Sequence, residues 1–318
     1  MGGREVVLLG TASALPTRER NHVSTLVRLD GRGVLVDCGE GTQRQLVRAG
    51  LGSTAVDLLA LTHLHGDHCL GVPGLVQRRG VEVPGAAPLP LVHPAERADV
   101  VDALLRASVV GREPAVRVVP VAQPADGALV DVERVGPWTL RAAALEHRTE
   151  TLGYRLDEDD GVTALPEALA ARGVAGADVG RLLRDGALDV DGRVVRAEEV
   201  TRPRRGQSVA VVMDTRECAG AHALAAGPHG DGVDVLVVEA TFPDADAERA
   251  RRWHHLTAGQ AGRLAAAAGA RRLVLTHVSA RVADVDVLAE QAGRHHDDVV
   301  AARDLDVVVL PPRRAVRG

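Results

Sequence analysis

The chain has 318 residues, 46% of them hydrophobic, and a net charge of −5. This length and apolar content favour one layered globular domain. The negative net charge excludes attraction of the whole chain to nucleic acid, so any contact with nucleic acid must be local. Three scattered cysteines exclude a disulfide framework, and we expect neither a signal peptide nor a membrane span, which predicts a cytoplasmic protein.

Strand-like apolar runs alternate with helical patterns along the chain. The predicted strands cover residues 6–9, 33–36, 57–61, 90–92, 116–121, 140–145, 209–213, 233–238, 273–275 and 307–310. The predicted helices cover residues 42–49, 95–107, 258–268 and 285–292, and three of them are followed by Gly50, Gly269 and Gly293. This alternation predicts a layered α/β fold, in which ligand-binding side chains gather at the strand ends.

Residues 157–201 differ in composition from the rest of the chain. They are rich in Gly, Ala and Asp, show short helical patterns over 166–172 and 178–184, and carry eleven acidic residues against five arginines. We interpret them as an arm inserted within a single domain that spans residues 1–318.

A run of three histidines and an aspartate occupies residues 62–68, directly after a predicted strand. In an extended segment, His63, His65 and Asp67 can point to one side, while a glycine turn brings His68 round. Imidazole and carboxylate groups are the usual ligands of zinc. They also bind manganese or iron when more of the ligand atoms are oxygens. Four donors this close crowd a single ion, so the run predicts two adjacent ions. The alternative is a solvated loop with incidental histidines.

Later predicted strands are each followed by a polar residue that could reach the same edge: His147, Asp214, Glu239 and His277. Taken alone, His147 and His277 would more simply be solvated or hydrogen-bonded histidines, but the upstream cluster favours metal ligation. Six further histidines lack such context and are predicted at the surface: His22, His93, His222, His229, His295 and His296.

Several longer motifs add to the histidine cluster. They are PTRERN at 16–21, DCGEGTQ at 37–43, GYR at 153–155, DTR at 214–216, EATF at 239–242, HLTA at 255–258 and LTHVS at 275–279. With these motifs the sequence resembles the ribonuclease Z family, the tRNA 3′-processing endonucleases of the metallo-β-lactamase superfamily. The resemblance covers residues 9–282.

The resemblance implies an α/β fold of four layers, the αβ/βα metallo-β-lactamase sandwich with an inserted arm. It also implies two Zn²⁺ ions, with Mn²⁺ as an alternative, and no organic cofactor. One ion would be held by His63, His65 and His147. The other would be held by Asp67, His68 and His277, with Asp214 bridging the two. Such a pair activates water and clamps a phosphodiester oxygen.

The resemblance further assigns catalytic roles. Asp67 would orient the attacking water, and His255, held by Glu239, would protonate the departing sugar 3′-oxygen. The alternatives are a helix-proximal carboxylate for Glu239 and a surface position for His255, with His254 as the rival proton donor.

Arg18, Arg20 and Asn21 would contact the substrate, although Arg18 and Arg20 could equally belong to an ordinary solvated loop. The implied protein is a homodimeric, metal-dependent endoribonuclease that removes the 3′ trailer of precursor tRNA and leaves a 3′-hydroxyl. The acidic arm departs from the family pattern, because phosphate contacts need basic side chains. Two alternatives therefore stay open: a hydrolase of the same fold that acts on a small phosphodiester or other ester, and a metal-free scaffold protein.

Overall fold

The computed structural model describes residues 3–108 and 115–313. In chain order the strands are β1 (Arg4–Gly10), β2 (Ser24–Leu29), β3 (Arg32–Val36), β4 (Leu58–Ala60), β5 (Leu89–Pro94), β6 (Val116–Val121), β7 (Val130–Val135), β8 (Trp138–Leu145), β9 (Thr151–Glu158), β10 (Gly161–Ala164), β11 (Ala187–Val190), β12 (Arg193–Arg196), β13 (Thr201–Arg204), β14 (Ser208–Val212), β15 (Val235–Glu239), β16 (Leu273–Thr276), β17 (Val299–Ala301) and β18 (Asp306–Val309). The helices are α1 (Thr42–Arg48), α2 (Gly66–Cys69), α3 (Val72–Glu82), α4 (Ala98–Leu105), α5 (Pro166–Ala171), α6 (Ala177–Asp185), α7 (Ala219–Ala226), α8 (Ala247–Trp253), α9 (Ala258–Ala268) and α10 (Asp286–Gly293).

Two mixed seven-stranded sheets dominate the larger unit, which comprises Met1–Asp157 and Ser208–Pro311. The first sheet has the order β18-β1-β2-β3-β4-β5-β6, and the second has the order β17-β16-β15-β14-β9-β8-β7. In the first sheet β3 to β6 are parallel, and in the second β14 to β17 are parallel. Parallel strands end at the same edge of a sheet, which is where loops can assemble a site.

The two sheets face each other across an apolar core, and helices cover their outer faces. In β14, Val209 and Val211 pack into the core between the sheets, whereas Ala210 and Val212 pack against α7 and α9. This alternation follows from the two-residue period of a strand. A third cluster packs α1, α3 and α4 on the first sheet. The order helix, sheet, sheet, helix confirms the predicted four-layer fold.

A second unit comprises Glu158–Gln207 and Pro312–Gly318, of which residues 312 and 313 are described at the C-terminal end. It has two small antiparallel sheets, β10 with β13 and β11 with β12, and a core of its own around Leu169, Leu182 and Val195. Residues 158–207 carry ten acidic residues and eight arginines. The acidic excess is smaller over these bounds than over 157–201, because three arginines follow Thr201.

No helix among the described residues has the length and apolar character that a membrane crossing requires.

Candidate metal centre

The candidate site lies where strands of both sheets end. His63, His65 and His68 follow β4 of the first sheet, with His68 inside the short helix α2. His147, Asp214 and His277 follow β8, β14 and β16 of the second sheet. Asp214 and His277 have φ angles of 46° and 57°, in the left-handed region that residues other than glycine seldom adopt. Strained backbone of this kind is typical of functional sites.

Four donors form the first group. One ligand atom each from His63, His65, His147 and Asp214 lies within 4.8 Å of the others. The Oδ2 atom of Asp214 is 3.6 Å from His63 Nε2 and 3.7 Å from His147 Nε2. Burial lowers the pKa of His63 well below its usual 6.5 and lowers the pKa of His147 to about 4. Both rings are therefore neutral and can donate a lone pair.

Three further donors, Asp67, His68 and His277, form a second group with ligand atoms within 4.8 Å of one another. The Oδ1 atom of Asp214 lies 3.1 Å from His277 Nε2 and 3.4 Å from His68 Nε2. Asp214 thus turns one carboxylate oxygen to each group. The seven residues predicted as ligands lie together in the structure, and their roles as ligands stay a prediction.

The outer ring nitrogens show that the second group fits a cation. His68 Nδ1 lies 2.8 Å from Asp37 Oδ2, and His277 Nδ1 lies 2.9 Å from Thr241 Oγ1. The Thr241 hydroxyl donates to Glu239 at 2.5 Å, so its oxygen accepts a hydrogen bond from the Nδ1–H group of His277. When both rings are neutral with the proton on Nδ1, their Nε2 atoms present lone pairs to each other across 3.3 Å.

Asp214 Oδ1 adds a further acceptor beside these two nitrogens, and it is buried without a hydrogen-bond partner among the described residues. Burial raises the pKa of Asp214, but the charges of His277 and His68 lower it further, so the carboxylate stays ionised. Burial lowers the pKa of His68, whereas Asp214 and Asp37 raise it well above its usual value, so without a metal a proton on this ring would carry the positive charge that the carboxylates require. A divalent metal would replace that proton and supply the charge with the right ligand chemistry.

His255 lies beside the two groups and is held by a buried carboxylate. Its Nδ1 atom is 3.0 Å and 3.1 Å from the two oxygens of Glu239, which also accepts from the backbone of Thr215 at 2.7 Å. Burial lowers the pKa of His255, but Glu239 and Asp214 raise it to about 9. A ligand atom of His255 also lies within 4.8 Å of Asp214 and His277, so its geometry allows either proton donation or ligation.

His254, the rival proton donor, has a different position. It ends α8 with a φ angle of 58°, and its carbonyl oxygen lies 3.2 Å from His147 Nδ1. The backbone of His254 therefore orients a candidate ligand.

The predicted substrate-binding residues lie in the loop that precedes β2. Arg18 is exposed. Arg20 donates to the carbonyl oxygens of Ser279 and Val282, at 3.2 Å and 2.9 Å. Asn21 donates to the carbonyl of Glu40 at 2.8 Å. Arg20 and Asn21 thus hold neighbouring loops in place, and contact of the three residues with a substrate stays a prediction.

One sequence-based expectation is wrong. His93, predicted at the surface, is fully buried at the end of β5, and its Nδ1 atom lies 2.7 Å from the carbonyl of Pro94. His93 lies on the same face of β5 as Leu89 and Leu91, which pack into the cluster between the first sheet and its helices.

Members of both donor groups line a cavity of about 620 Å³: His65, His147 and Asp214 from the first, and Asp67 and His277 from the second. Its other walls carry Arg148, Arg249 and Arg281, together with the indole of Trp253. Guanidinium groups are the usual partners of phosphate oxygens, so the cavity suits an anionic ester. None of these four residues was singled out from the sequence, because an isolated arginine or tryptophan carries no spacing pattern.

Comparisons with known proteins agree with this picture. The model of the metallo-β-lactamase superfamily matches residues 17–140. A ribonuclease Z of Nocardia farcinica is 50% identical over 315 residues, which cover 99% of this chain and 100% of the relative. A ribonuclease Z of Streptomyces coelicolor is 46% identical over 318 residues, which cover 99% and 100%. The crystal structure of human tRNase Z, short form, is similar with a TM-score of 0.70 and 23% identity, over 96% of this chain and 99% of that one, a likeness of fold alone.

Proposed function

The chain belongs to the ribonuclease Z family, and we propose that it hydrolyses precursor tRNA at one phosphodiester, removing the 3′ trailer and leaving a 3′-hydroxyl on the tRNA. Family membership makes it a metal-dependent endoribonuclease. The observation that carries the proposal is the pair of donor groups that share Asp214, inside a cavity lined by arginines.

In this proposal two zinc ions, or manganese in their place, occupy the two donor groups. His63, His65 and His147 would hold one ion, and Asp67, His68 and His277 the other, with Asp214 between them. Divalent ions bound there would neutralise phosphodiester charge and activate water.

The chain's own residues would position and move protons. The Oδ2 atom of Asp67 lies 3.5 Å from His68 Nε2 and 3.6 Å from His277 Nε2, at the centre of the site, where it would orient the attacking water. Since Glu239 and Asp214 raise the pKa of His255 to about 9, its ring holds a proton at neutral pH. That proton would pass to the departing 3′-oxygen. General acid catalysis of this kind raises the reaction rate by about a hundredfold or more.

The substrate would be bound by several parts of the chain. Arg148, Arg249 and Arg281 would contact phosphates inside the cavity, and Arg18, with Arg20 and Asn21 supporting its loop, would contact RNA outside it. As the sequence resemblance implies, we further propose a cytoplasmic homodimer in which residues 157–201 form the tRNA-binding arm of a single domain.

Mapping of the products tests the function. Precursor tRNAs with and without an encoded CCA would be incubated with the protein in zinc and in manganese, and both new ends would be sequenced. We expect a tRNA that ends in a 3′-hydroxyl and a trailer that begins with a 5′-phosphate, and no cleavage by the Asp67→Ala variant. Turnover of bis-p-nitrophenyl phosphate by metal-loaded protein that leaves precursor tRNA intact would instead favour a hydrolase of small phosphodiesters.

A further inference from the structure

Trp253 differs from the other aromatic residues of the chain. Its side chain is 41% exposed, whereas Trp138 and Tyr154 are 1% exposed and Phe242 is 7% exposed. Trp253 also lines the cavity that contains the donor groups. A large, partly exposed aromatic side chain in the wall of an arginine-lined cavity is available to a flat ligand group.

The indole is held in place by a neighbour from the second sheet. The guanidinium carbon of Arg148 lies 4.7 Å from the ring centroid of Trp253, within the range of a cation–π interaction. Arg148 follows the candidate ligand His147 directly and lines the same cavity. The guanidinium carbon of Arg252 lies at 5.5 Å, close to the outer limit of such contacts.

The backbone links the indole to the chemistry of the site. Trp253 is the last residue of α8, His254 reverses the chain with a φ angle of 58°, and His255 enters the site. The carbonyl of His254 also lies against His147 Nδ1, at 3.2 Å. Three consecutive residues therefore place an aromatic surface, orient a candidate ligand and present the candidate proton donor.

We propose that Trp253 stacks on the nucleobase of the nucleotide whose 3′-oxygen departs, the last nucleotide retained by the tRNA. This inference rests on the proposed function. His255 would protonate the 3′-oxygen of that nucleotide. Trp253 precedes His255 by two residues in the sequence and lines the same cavity. Because every base has a π face, stacking positions the nucleotide whatever its base.

A double-mutant cycle, with one change in the protein and the other in the RNA, tests the proposal. Precursor tRNA would be prepared with an abasic residue at the last retained nucleotide and compared with the intact RNA, using wild type, Trp253→Ala and Trp253→Phe. We expect kcat/KM to fall roughly tenfold when either the base or the indole is removed, and not to fall further when both are removed. Trp253→Phe should restore most of the loss on intact RNA.

The outcomes separate this proposal from the function on which it rests. If wild type does not cleave intact precursor tRNA, the proposed function fails, whatever Trp253 does. If wild type cleaves it but Trp253→Ala slows the intact and abasic RNAs by equal factors, the indole only supports the cavity wall and the stacking proposal is overturned. The same cycle would be run on precursor tRNA with the abasic residue at the first trailer nucleotide. If the effects of Trp253→Ala and of base removal are coupled in that RNA alone, the indole stacks on the trailer and the proposal is likewise overturned.

Fluorescence gives a second measurement without catalysis. Trp138 and Trp253 are the two tryptophans of the chain, so a Trp138→Phe variant reports on Trp253 alone. We expect mature tRNA, the proposed product, to quench this emission, and tRNA that lacks the terminal base to quench it far less. Equal quenching by both RNAs would contradict stacking.

Discussion

Five histidines at the site have one ring nitrogen engaged by a partner outside the donor groups. The pairs are His63 with Thr62, His68 with Asp37, His277 with Thr241, His147 with the carbonyl of His254, and His255 with Glu239. Partners of this kind fix the tautomer and the orientation of an imidazole. The carboxylate of Glu239 favours a protonated His255, whereas the neutral partners of His147 and His277 leave a lone pair for a metal. The carboxylate of Asp37 likewise favours a positive charge at His68, which a bound metal would supply.

Removal of the His255 side chain separates proton donation from metal binding. We expect His255→Ala to retain its metal and to cleave precursor tRNA about a hundredfold more slowly in single turnover, whereas Asp67→Ala should lose metal and turnover together. His254→Asn is the matched control, since asparagine tolerates a positive φ and keeps the carbonyl on His147. Cleavage by His255→Ala at the wild-type rate would exclude the donor role, and loss of metal would make His255 a ligand.

Replacement of Glu239 should change the pH dependence. Burial lowers the pKa of His255 and the Glu239 charge raises it, so in Glu239→Gln the effect of burial dominates and the pKa falls from about 9. A protonated donor is lost as pH rises through its pKa, so the alkaline decline of kcat/KM should begin at least about one pH unit lower than in wild type. Glu248→Gln, a change at an exposed carboxylate on α8, should leave the profile unaltered. An unchanged alkaline limb in Glu239→Gln would mean that another group limits the rate.

The inner donors were predictable from sequence, and most of their partners were not. His63, His65 and His68 share one short run, so their spacing alone indicates a metal site. Asp37 and Thr241 meet their histidines only through the packing of separate strands, at 2.8 Å and 2.9 Å. A single sequence holds no spacing rule for such contacts. The motifs that contain them were evident, but their atomic roles were not.

At the scale of elements, the start of α9 stabilises the turn after His255. The Thr257 side chain accepts from the backbone of Gln260, and the Gln260 side chain accepts from the backbone of Thr257, which forms a capping box. Thr257 is 2% exposed, so loss of its hydroxyl would leave the backbone N–H of Gln260 without this partner. We expect Thr257→Ala to lower the free energy of unfolding by about 1 kcal/mol in urea titrations, with Thr257→Ser close to wild type. An unchanged midpoint for Thr257→Ala would show that the cap contributes little.

Elements with local signals were predicted well. The predicted helix over 258–268 coincides with α9, and Gly269 ends it with a φ angle of 68°. The strand β9 was missed because it contains Gly153 and Arg155, and the buried Arg155 is tolerated only through its contacts with Asp157 at 2.7 Å and the carbonyl of Leu224 at 2.6 Å. Since Leu224 belongs to α7 and meets Arg155 only through tertiary packing, periodicity could not indicate this strand.

At the scale of the whole molecule, each donor group draws on both sheets. His63 and His65 belong to the first sheet and meet His147 from the second, and His68 meets His277 in the same way. The site therefore forms only when the two sheets pack together, and any cation bound there would join them. Binding that favours the folded state adds to stability by mass action.

The position of residues 158–207 in the chain allows them to be removed cleanly. β9 and β14 are antiparallel neighbours, and Asp157 pairs with Ser208 on either side of this segment. Replacing 158–207 by Asn-Gly would connect the paired residues through a two-residue hairpin turn. We expect this variant to retain metal and the hydrolysis of bis-p-nitrophenyl phosphate, and to show a raised KM for precursor tRNA.

The salt dependence of that KM would show how the segment acts. If its arginines contact phosphates, the deletion should weaken the dependence of KM on salt, because fewer counterions are released on binding. A full-length variant with Arg193→Gln and Arg196→Gln, two exposed arginines of β12, should show part of the same effect. A deletion variant that processes precursor tRNA with the wild-type KM and salt slope would exclude the segment from substrate binding, and recognition would then rest on the arginines of the cavity.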